Sequence, residues 1–389
     1  PFLFFLAMIC ILIYYFDFKH RAIAHSNIKT ALGNRFSPAE LSNTTHKFYR
    51  SYGQNLTEVF LMPLVDNRYI NKYISIEGSD NINLGLKKGK GIIFLAIHEG
   101  SWELSNIISS IFSFQFNFLF REQEKFKRIA RLLNSYRIRK GCKIIQREHQ
   151  IRQIIEVIKN NEAIGMTVDQ GGKAGTLVNF FGRSASMATG AVRIGLKYDT
   201  TILPVFFTRL DGPYVKLFID KPFEIKKTSD HEKDTRDNLQ GLIHIYEKYI
   251  ATYPNEYLWT YKIWKYGLDR DILILSDAKT GHLRQSQAVA DIISGYFKEK
   301  GFEAKIEIEE VNFKSKFSKI LLKFSSCLSG KFNCQGCLAC LRKFLDAKTY
   351  NSLIEKKPNV IISCGSSLAA VNFLLSRENL AKSIVLMKP

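Results

Sequence analysis

Residues 91–103 read GIIFLAIHEGSWE, and the parsing of this stretch decides the fold. Ile92 to Ile97 make a short unbroken apolar run, the pattern of a strand buried on both faces. The run ends on His98 and Gly100, and five residues after the histidine comes an acidic residue, Glu103. The same pattern recurs downstream in FNFLF (116–120), AIGMTV (163–168) and TILPVFF (201–207). Between these runs lie helical patterns such as EHQIRQIIEVIKNN (148–161), with Ile151, Ile154, Ile155 and Ile158 on one stripe. Alternation of this kind predicts an α/β sheet with helices over its faces. Chemistry in such folds gathers where strands end. His98 stands at one strand end and Asp169 at another.

Toward the N-terminus, SPAELSNTTHKFYRSYGQNLTEVFLMP (37–63) opens on a capping box of Ser37, Pro38 and Glu40. Leu41, Phe48, Tyr52, Leu56 and Phe60 follow at helical spacing and predict an amphipathic helix with one face on the next domain. Residues 1–16, PFLFFLAMICILIYYF, are uncharged and mostly apolar. A full span needs about 20 residues, so this stretch reads as a truncated membrane anchor. Lys19 and Arg21 just after it place the following domain on the cytoplasmic side. A buried core helix is the alternative. The chain opens on Pro1 and stops after a strand-like SIVLM, and is expected to be a fragment at both ends.

The chain of 389 residues is longer than one hydrophobic core usually holds, and its 46% hydrophobic and 13% aromatic content excludes a disordered chain. Lys and Arg outnumber Asp and Glu by 56 to 36, a formal charge of +20. That excess calls for an anionic partner: nucleic acid, phospholipid headgroups or an acidic carrier protein. No nucleic-acid-binding motif accompanies it.

His98 and Glu103 carry a chemical expectation. Imidazole is the side chain best suited to accept a proton from a hydroxyl near neutral pH. A carboxylate on its other nitrogen fixes the tautomer and stabilises the imidazolium. Five residues apart, the two share no face of a continuous helix, but Gly100 lets the chain turn back and bring them together. Read singly, His98 is a hydrogen-bonded structural residue, Glu103 a solvated residue of a first helical turn, and Trp102 core.

The segment AIHEGSWELSN (96–106) is similar to the His-x4-acid motif of the lipid A acyltransferases, the lauroyl and myristoyl transferases of Gram-negative lipopolysaccharide synthesis. The likeness continues in order. FREQEKFKRIARLLNSYRIRKG (120–141) resembles their arginine and Arg-rich helix, with Glu122 where a proline is usual. MTVDQGGKAGTLVNFFGRSASMATGAVRIG (166–195) resembles their Asp-Gln, Phe-Phe-Gly and Thr-Gly block. ILPVFFTRLDGPYVKLFI (202–219) and NEYLWTYKIWKY (255–266) resemble their last strands and aromatic-basic terminus. The resemblance implies a glycerolipid-acyltransferase-like α/β domain over residues 17–266, behind the 1–16 anchor, at the bacterial inner membrane. It implies acyl transfer from acyl carrier protein to a hydroxyl of a lipid A precursor, with no cofactor required. His98 would be the general base and Glu103 its partner. Asp169, Gln170, Phe181, Gly182 and Thr189 would shape the pocket and position substrate, and Arg121 would meet a phosphate or the carrier's phosphopantetheine. Arg121, Lys125, Lys127, Arg128, Arg131, Arg137, Arg139 and Lys140 would together meet an acidic carrier or lipid phosphates, or be a solvated helical face. Another glycolipid acceptor, of the phosphatidylinositol mannoside type, is the alternative. A non-catalytic membrane scaffold is a third reading, and the intact His98–Glu103 pair counts against it.

Near Asp271 the alternation restarts. DILILSDAKTGHLRQSQAVADIISGYF (271–297) reads as strand, loop and helix, with Ala288, Val289, Ile292, Ile293 and Tyr296 on one helical face. AKIEIEEV (304–311) and NVIISCGS (359–366) add strands. Residues 270–389 resemble the N-terminal half of bacterial proteins related to the mitochondrial fission ELM family. The resemblance implies a partial Rossmann-like lobe of a two-lobed, GT-B-type glycosyltransferase fold. Between these strands CLSGKFNCQGCLAC (327–340) sets Cys327, Cys334, Cys337 and Cys340 at spacings able to wrap Zn²⁺ or an iron–sulfur cluster, or to stand as four reduced thiols. Just before them Phe313, Phe317, Ile320, Leu321 and Phe324 form one stripe, with Lys314, Lys316, Lys319 and Lys323 elsewhere around the helix. That pattern fits a helix packed on its own domain or one lying on a membrane surface.

Overall fold

The structure, a computed structural model, describes residues 13–107, 111–112, 114–120, 127–146, 150–328, 336 and 338–387. The chain divides into two compact units, one of Phe48–Phe180 with Ala185–Leu258, the other of Tyr14–Lys47, Phe181–Ser184 and Trp259 onward.

The first unit holds the expected α/β sheet. Its strands are β1 (Ile74–Glu77), β2 (Ile92–Ala96), β3 (Phe116–Phe120), β4 (Lys143–Gln146), β5 (Ala163–Thr167), β8 (Thr201–Asp211) and β9 (Tyr214–Ile219), in the order β1-β9-β8-β2-β5-β3-β4. Pairing is parallel except between β8 and β9, which form an antiparallel hairpin. β2 and β5 therefore lie centrally, and Ile92, Ile93, Phe94 and Leu95 are all buried, as a strand covered on both faces requires. The helix His231–Thr252 covers one face and ties itself to β2 by a Tyr246 hydroxyl donating to the Leu95 carbonyl at 2.7 Å. A separate hairpin joins β6 (Thr176–Phe180) to β7 (Arg183–Met187).

The capping box at Ser37 forms as expected, Ser37 N–H donating to the Glu40 carboxylate at 2.7 Å, and opens the helix Pro38–Leu61. Leu41 and Phe48 are buried, but Phe60 faces outward. In the helix Gln150–Lys159 the buried stripe is Ile154, Val157 and Ile158, and Ile151 is exposed because it stands one turn outside the sheet contact.

In the second unit β10 (Asp269–Ser276), β11 (Glu303–Glu310), β12 (Val360–Cys364) and β13 (Lys382–Leu386) make a wholly parallel sheet of order β11-β10-β12-β13. The helix Thr280–Glu299 follows β10 as expected, and Val289 and Ile293 of the expected face pack against the sheet core. Ser286, Ala290 and Ser294 are its buried residues, whereas Ala288, Ile292 and Tyr296 are exposed. Small side chains let the backbone approach the sheet closely, a preference that apolar periodicity does not carry. The helix Phe18–Leu32 belongs to this unit through buried polar contacts: His25 to Glu378 at 2.7 Å, Lys29 to Asn379 at 2.9 Å, and Asn27 to the Trp259 and Tyr261 carbonyls. Tyr14–Lys47 and Trp259 onward cluster in this unit, together with Phe181–Ser184.

Among the described residues no helix is long and apolar enough to cross a membrane. Most of the expected 1–16 anchor, residues 1–12, lies outside the described residues.

Candidate active site

β2 and β5 run side by side in register, from Ile92 opposite Ala163 to Ala96 opposite Thr167. Carried two residues beyond both strands, that register sets His98 opposite Asp169, with Val168 N–H still bonded to the Ala96 carbonyl at 3.0 Å. Asp169 accepts twice from the histidine, from its backbone N–H at 3.0 Å and from ring Nδ1 at 2.8 Å. Gln170 brings its side-chain amide to 3.2 Å from the same ring nitrogen. Asp169 is buried, while the His98 side chain keeps 26% of its surface. With Nδ1–H committed to Asp169, Nε2 is the basic nitrogen, and among the described residues it has no hydrogen-bond partner.

The electrostatics suit a base. Burial alone would lower the His98 pKa, but the Asp169 charge and hydrogen bond outweigh it and hold the imidazole above its ordinary value of 6.5. Burial would raise Asp169, yet His98 and the backbone N–H bond hold the carboxyl below 3.8. Each partner stabilises the other's charged form.

The loop that presents His98 is pinned on several sides. Its carbonyl accepts from Leu258 N–H at 2.8 Å, Gly100 N–H donates to the Glu256 carbonyl at 2.8 Å, and Ser101 N–H to the Phe207 carbonyl at 3.0 Å. Gly100 has φ +45°, and a Cβ there would stand 1.9 Å from the Phe207 oxygen, so this position accepts only glycine. Under the loop, Ser101 donates to Glu58 at 2.6 Å, and Arg209 reaches both Glu58 and Asn55 at 2.6 and 2.8 Å.

Glu103 is not the carboxylate on the imidazole. It opens the 3₁₀ helix Trp102–Ile107 and binds Arg137, through Arg137 Nη2 at 2.7 Å and Nε at 3.3 Å. Arg137 is buried and lies over the Phe118 ring at 4.3 Å, so it does not belong to the exposed basic surface expected from the sequence. The helix Lys127–Arg139 does expose Lys127, Arg128, Arg131 and Arg139. The carboxylate in contact with His98 comes instead from the neighbouring strand end. Both strand ends were visible in the sequence, but their adjacency is a matter of strand order.

Phe181 and Gly182 form the two-residue turn of the β6–β7 hairpin, with φ +51° and +79°. Positive φ at both positions is the pattern of a type I′ turn, which accounts for the glycine by backbone shape. Thr189 precedes the helix Gly190–Tyr198 at its N-cap position. Arg121, Cys334 and Cys337 lie outside the described residues. Cys327 is exposed near the end of the helix Lys316–Leu328, and Cys340 is half-buried in Ala339–Phe344. Among the described residues no group of three or more His, Cys, Asp or Glu is placed to hold a metal.

Sequence reasoning also missed Glu99, one residue from His98. It is buried beside Glu256, and its Oε1 has no hydrogen-bond partner among the described residues. Burial first, and the Glu256 charge second, push its carboxyl well above 4.5.

A partly exposed imidazole held by a buried aspartate where two adjacent parallel strands end is an arrangement suited to general-base chemistry. The chain belongs to the bacterial lipid A biosynthesis acyltransferase family, whose model matches residues 2–266. It is 22% identical over 251 residues to the lipid A biosynthesis palmitoleoyltransferase of Escherichia coli (strain K12), covering 64% of this chain and 79% of that one. A lipid A biosynthesis acyltransferase of Shigella flexneri matches to the same extent. The phosphatidylinositol mannoside acyltransferase of Mycobacterium tuberculosis (strain ATCC 25618 / H37Rv) is 22% identical over 170 residues, covering 40% of this chain and 51% of that one. The protein is an acyltransferase.

Proposed function

We propose that the protein moves a fatty acyl group from acyl carrier protein to a hydroxyl of a lipid A precursor, with His98 as general base. The observation that carries this is the His98–Asp169 pair, 2.8 Å apart at the ends of adjacent parallel strands. Nε2 takes the proton as the hydroxyl oxygen attacks the thioester carbonyl. The C–O bond forms, the C–S bond breaks, and the imidazolium returns the proton to the departing thiolate. Asp169 stabilises the imidazolium and fixes the tautomer, and the Glu103–Arg137 pair holds the 3₁₀ helix that continues the His98 loop. No metal or organic cofactor is needed for these steps.

The acidic carrier docks on the exposed Lys127, Arg128, Arg131 and Arg139, a reading that rests on charge complementarity. The apolar residues 1–16 hold the enzyme at the inner membrane with its catalytic unit on the cytoplasmic side, which the Lys19 and Arg21 flank supports. Residues 270–389 make a glycosyltransferase-like, Rossmann-type lobe, a reading that the parallel sheet supports. Similarity to the mycobacterial enzyme favours a second acceptor, a mannosylated phosphatidylinositol. The experiment offers acyl carrier protein thioesters with each acceptor in turn. Acylation of the lipid A precursor supports the proposal, acylation of the mannoside alone replaces the acceptor, and acylation of neither by membrane-held, folded protein refutes it.

A further inference from the structure

The helix Lys316–Leu328 turns its apolar stripe away from the protein that carries it. Leu322 is the residue that enters the core of the second unit, with Leu341 and Phe344. Phe317, Ile320, Leu321 and Phe324 are spaced i, i+3, i+4, i+7 on another face and are 66%, 51%, 37% and 67% exposed. A helix packed only on its own domain would show the reverse. Contiguous apolar surface of this kind marks an interaction site.

The charge around the stripe has one sign. From Val311 to Leu328 there is no Asp or Glu, while Lys314, Lys316, Lys319 and Lys323 are present. Among the described residues none of the four lysines makes an ion pair. Lys314 donates to the Arg342 carbonyl at 3.0 Å and Lys323 to the Ser366 hydroxyl at 3.3 Å, so both heads are held by neutral groups and keep their charge uncompensated. The helix Ala339–Phe344, which meets this one in the core, adds exposed Arg342 and Lys343.

We infer that the helix Lys316–Leu328 is a membrane-surface helix that sinks Phe317, Ile320, Leu321 and Phe324 into an anionic phospholipid leaflet while its lysines meet the headgroup phosphates. Apolar insertion with flanking lysines is the design by which amphipathic helices lie in the interface, and each lysine near an anionic surface strengthens binding several-fold. A protein partner would need an acidic groove lined with apolar residues, whereas an anionic bilayer supplies both features along its whole surface. The inference rests on the second unit alone and does not depend on the acyl-transfer proposal.

The test uses the whole chain carrying Phe324→Trp and vesicles of phosphatidylglycerol and phosphatidylethanolamine with acyl chains brominated at a known depth. Quenching is read at this one helix against the same chain without the substitution, however else the protein is held to the vesicle. Expected is bromine quenching of the added tryptophan. Changing Lys316, Lys319 and Lys323 together to Gln should abolish most of that quenching on anionic vesicles, with little effect on phosphatidylcholine. Absence of quenching with the chain bound to vesicles overturns the inference. So does a Phe324→Trp emission already blue-shifted without lipid in a protein that is dimeric by light scattering, because a second copy then covers the stripe.

Discussion

Replacing Asp169 by Asn tests the site at its most sensitive atom. The carboxylate accepts from two N–H groups of His98, one on the backbone at 3.0 Å and one on ring Nδ1 at 2.8 Å. An amide offers one oxygen and one NH₂. The backbone N–H cannot change its role, so the amide oxygen stays with it and the NH₂ faces Nδ1. That nitrogen must then accept, the ring proton moves to Nε2, and the base arrives at the hydroxyl already protonated. The imidazolium also loses the charge that holds its pKa above 6.5, and burial alone remains to lower it. Together these effects predict a fall in kcat of about 10³–10⁴-fold, and movement of the acid limb of the pH–rate profile to lower pH. The assay is transfer of labelled acyl chain from acyl carrier protein between pH 5 and 9, with thermal unfolding run alongside to show that the variant is folded. A folded Asp169→Asn protein within threefold of wild type, with an unmoved acid limb, refutes the pairing as the source of basicity.

Arg137→Met should destabilise the first unit by about 3–5 kcal/mol in chemical denaturation, because it breaks an ion pair whose side chains are only 4% and 13% exposed. Gly100→Ala should cost about 3 kcal/mol or more, since a Cβ at φ +45° would meet the Phe207 carbonyl oxygen; unchanged stability would contradict the pinned loop. For Glu99 the folded pKa lies above the unfolded one, so its contribution is full below about pH 4.5 and is lost as pH rises toward the folded value. Glu99→Gln should therefore grow more stable relative to wild type between urea titrations at pH 5 and pH 8. Reversing Arg128 and Arg131 to Glu should raise KM for the acidic carrier roughly 5–30-fold with kcat held; an equal fall in kcat would place them elsewhere in the chemistry.

His98 and Asp169 were each legible as polar residues closing buried runs, because strand burial is written in local composition. Their pairing was not, because it depends on β2 lying beside β5 in the order β8-β2-β5-β3, a consequence of long-range packing. Glu103 looked like the partner because it was near in sequence, and the 3₁₀ helix directs it to Arg137 instead. Periodicity likewise found the helices but not always their inner faces. The helix Thr280–Glu299 buries Ser286, Ala290 and Ser294 beside the packed Val289 and Ile293 and leaves Ile292 outside. In Lys316–Leu328 Leu322 enters the core while the longer apolar stripe stays in solvent. Apolar spacing shows that a face exists; what covers that face is settled by the neighbouring elements.

The central claim, that His98 is the base of an acyl transfer, is tested most directly by one side-by-side measurement. Wild type and His98→Ala, held in the same membranes at equal folded amount, are given labelled acyl carrier protein and a lipid A precursor, and the acylated lipid is counted. Product from wild type, with at least about 10²–10⁴-fold less from His98→Ala, is the predicted result. Equal product from both proteins would remove His98 from the chemistry and contradict the account.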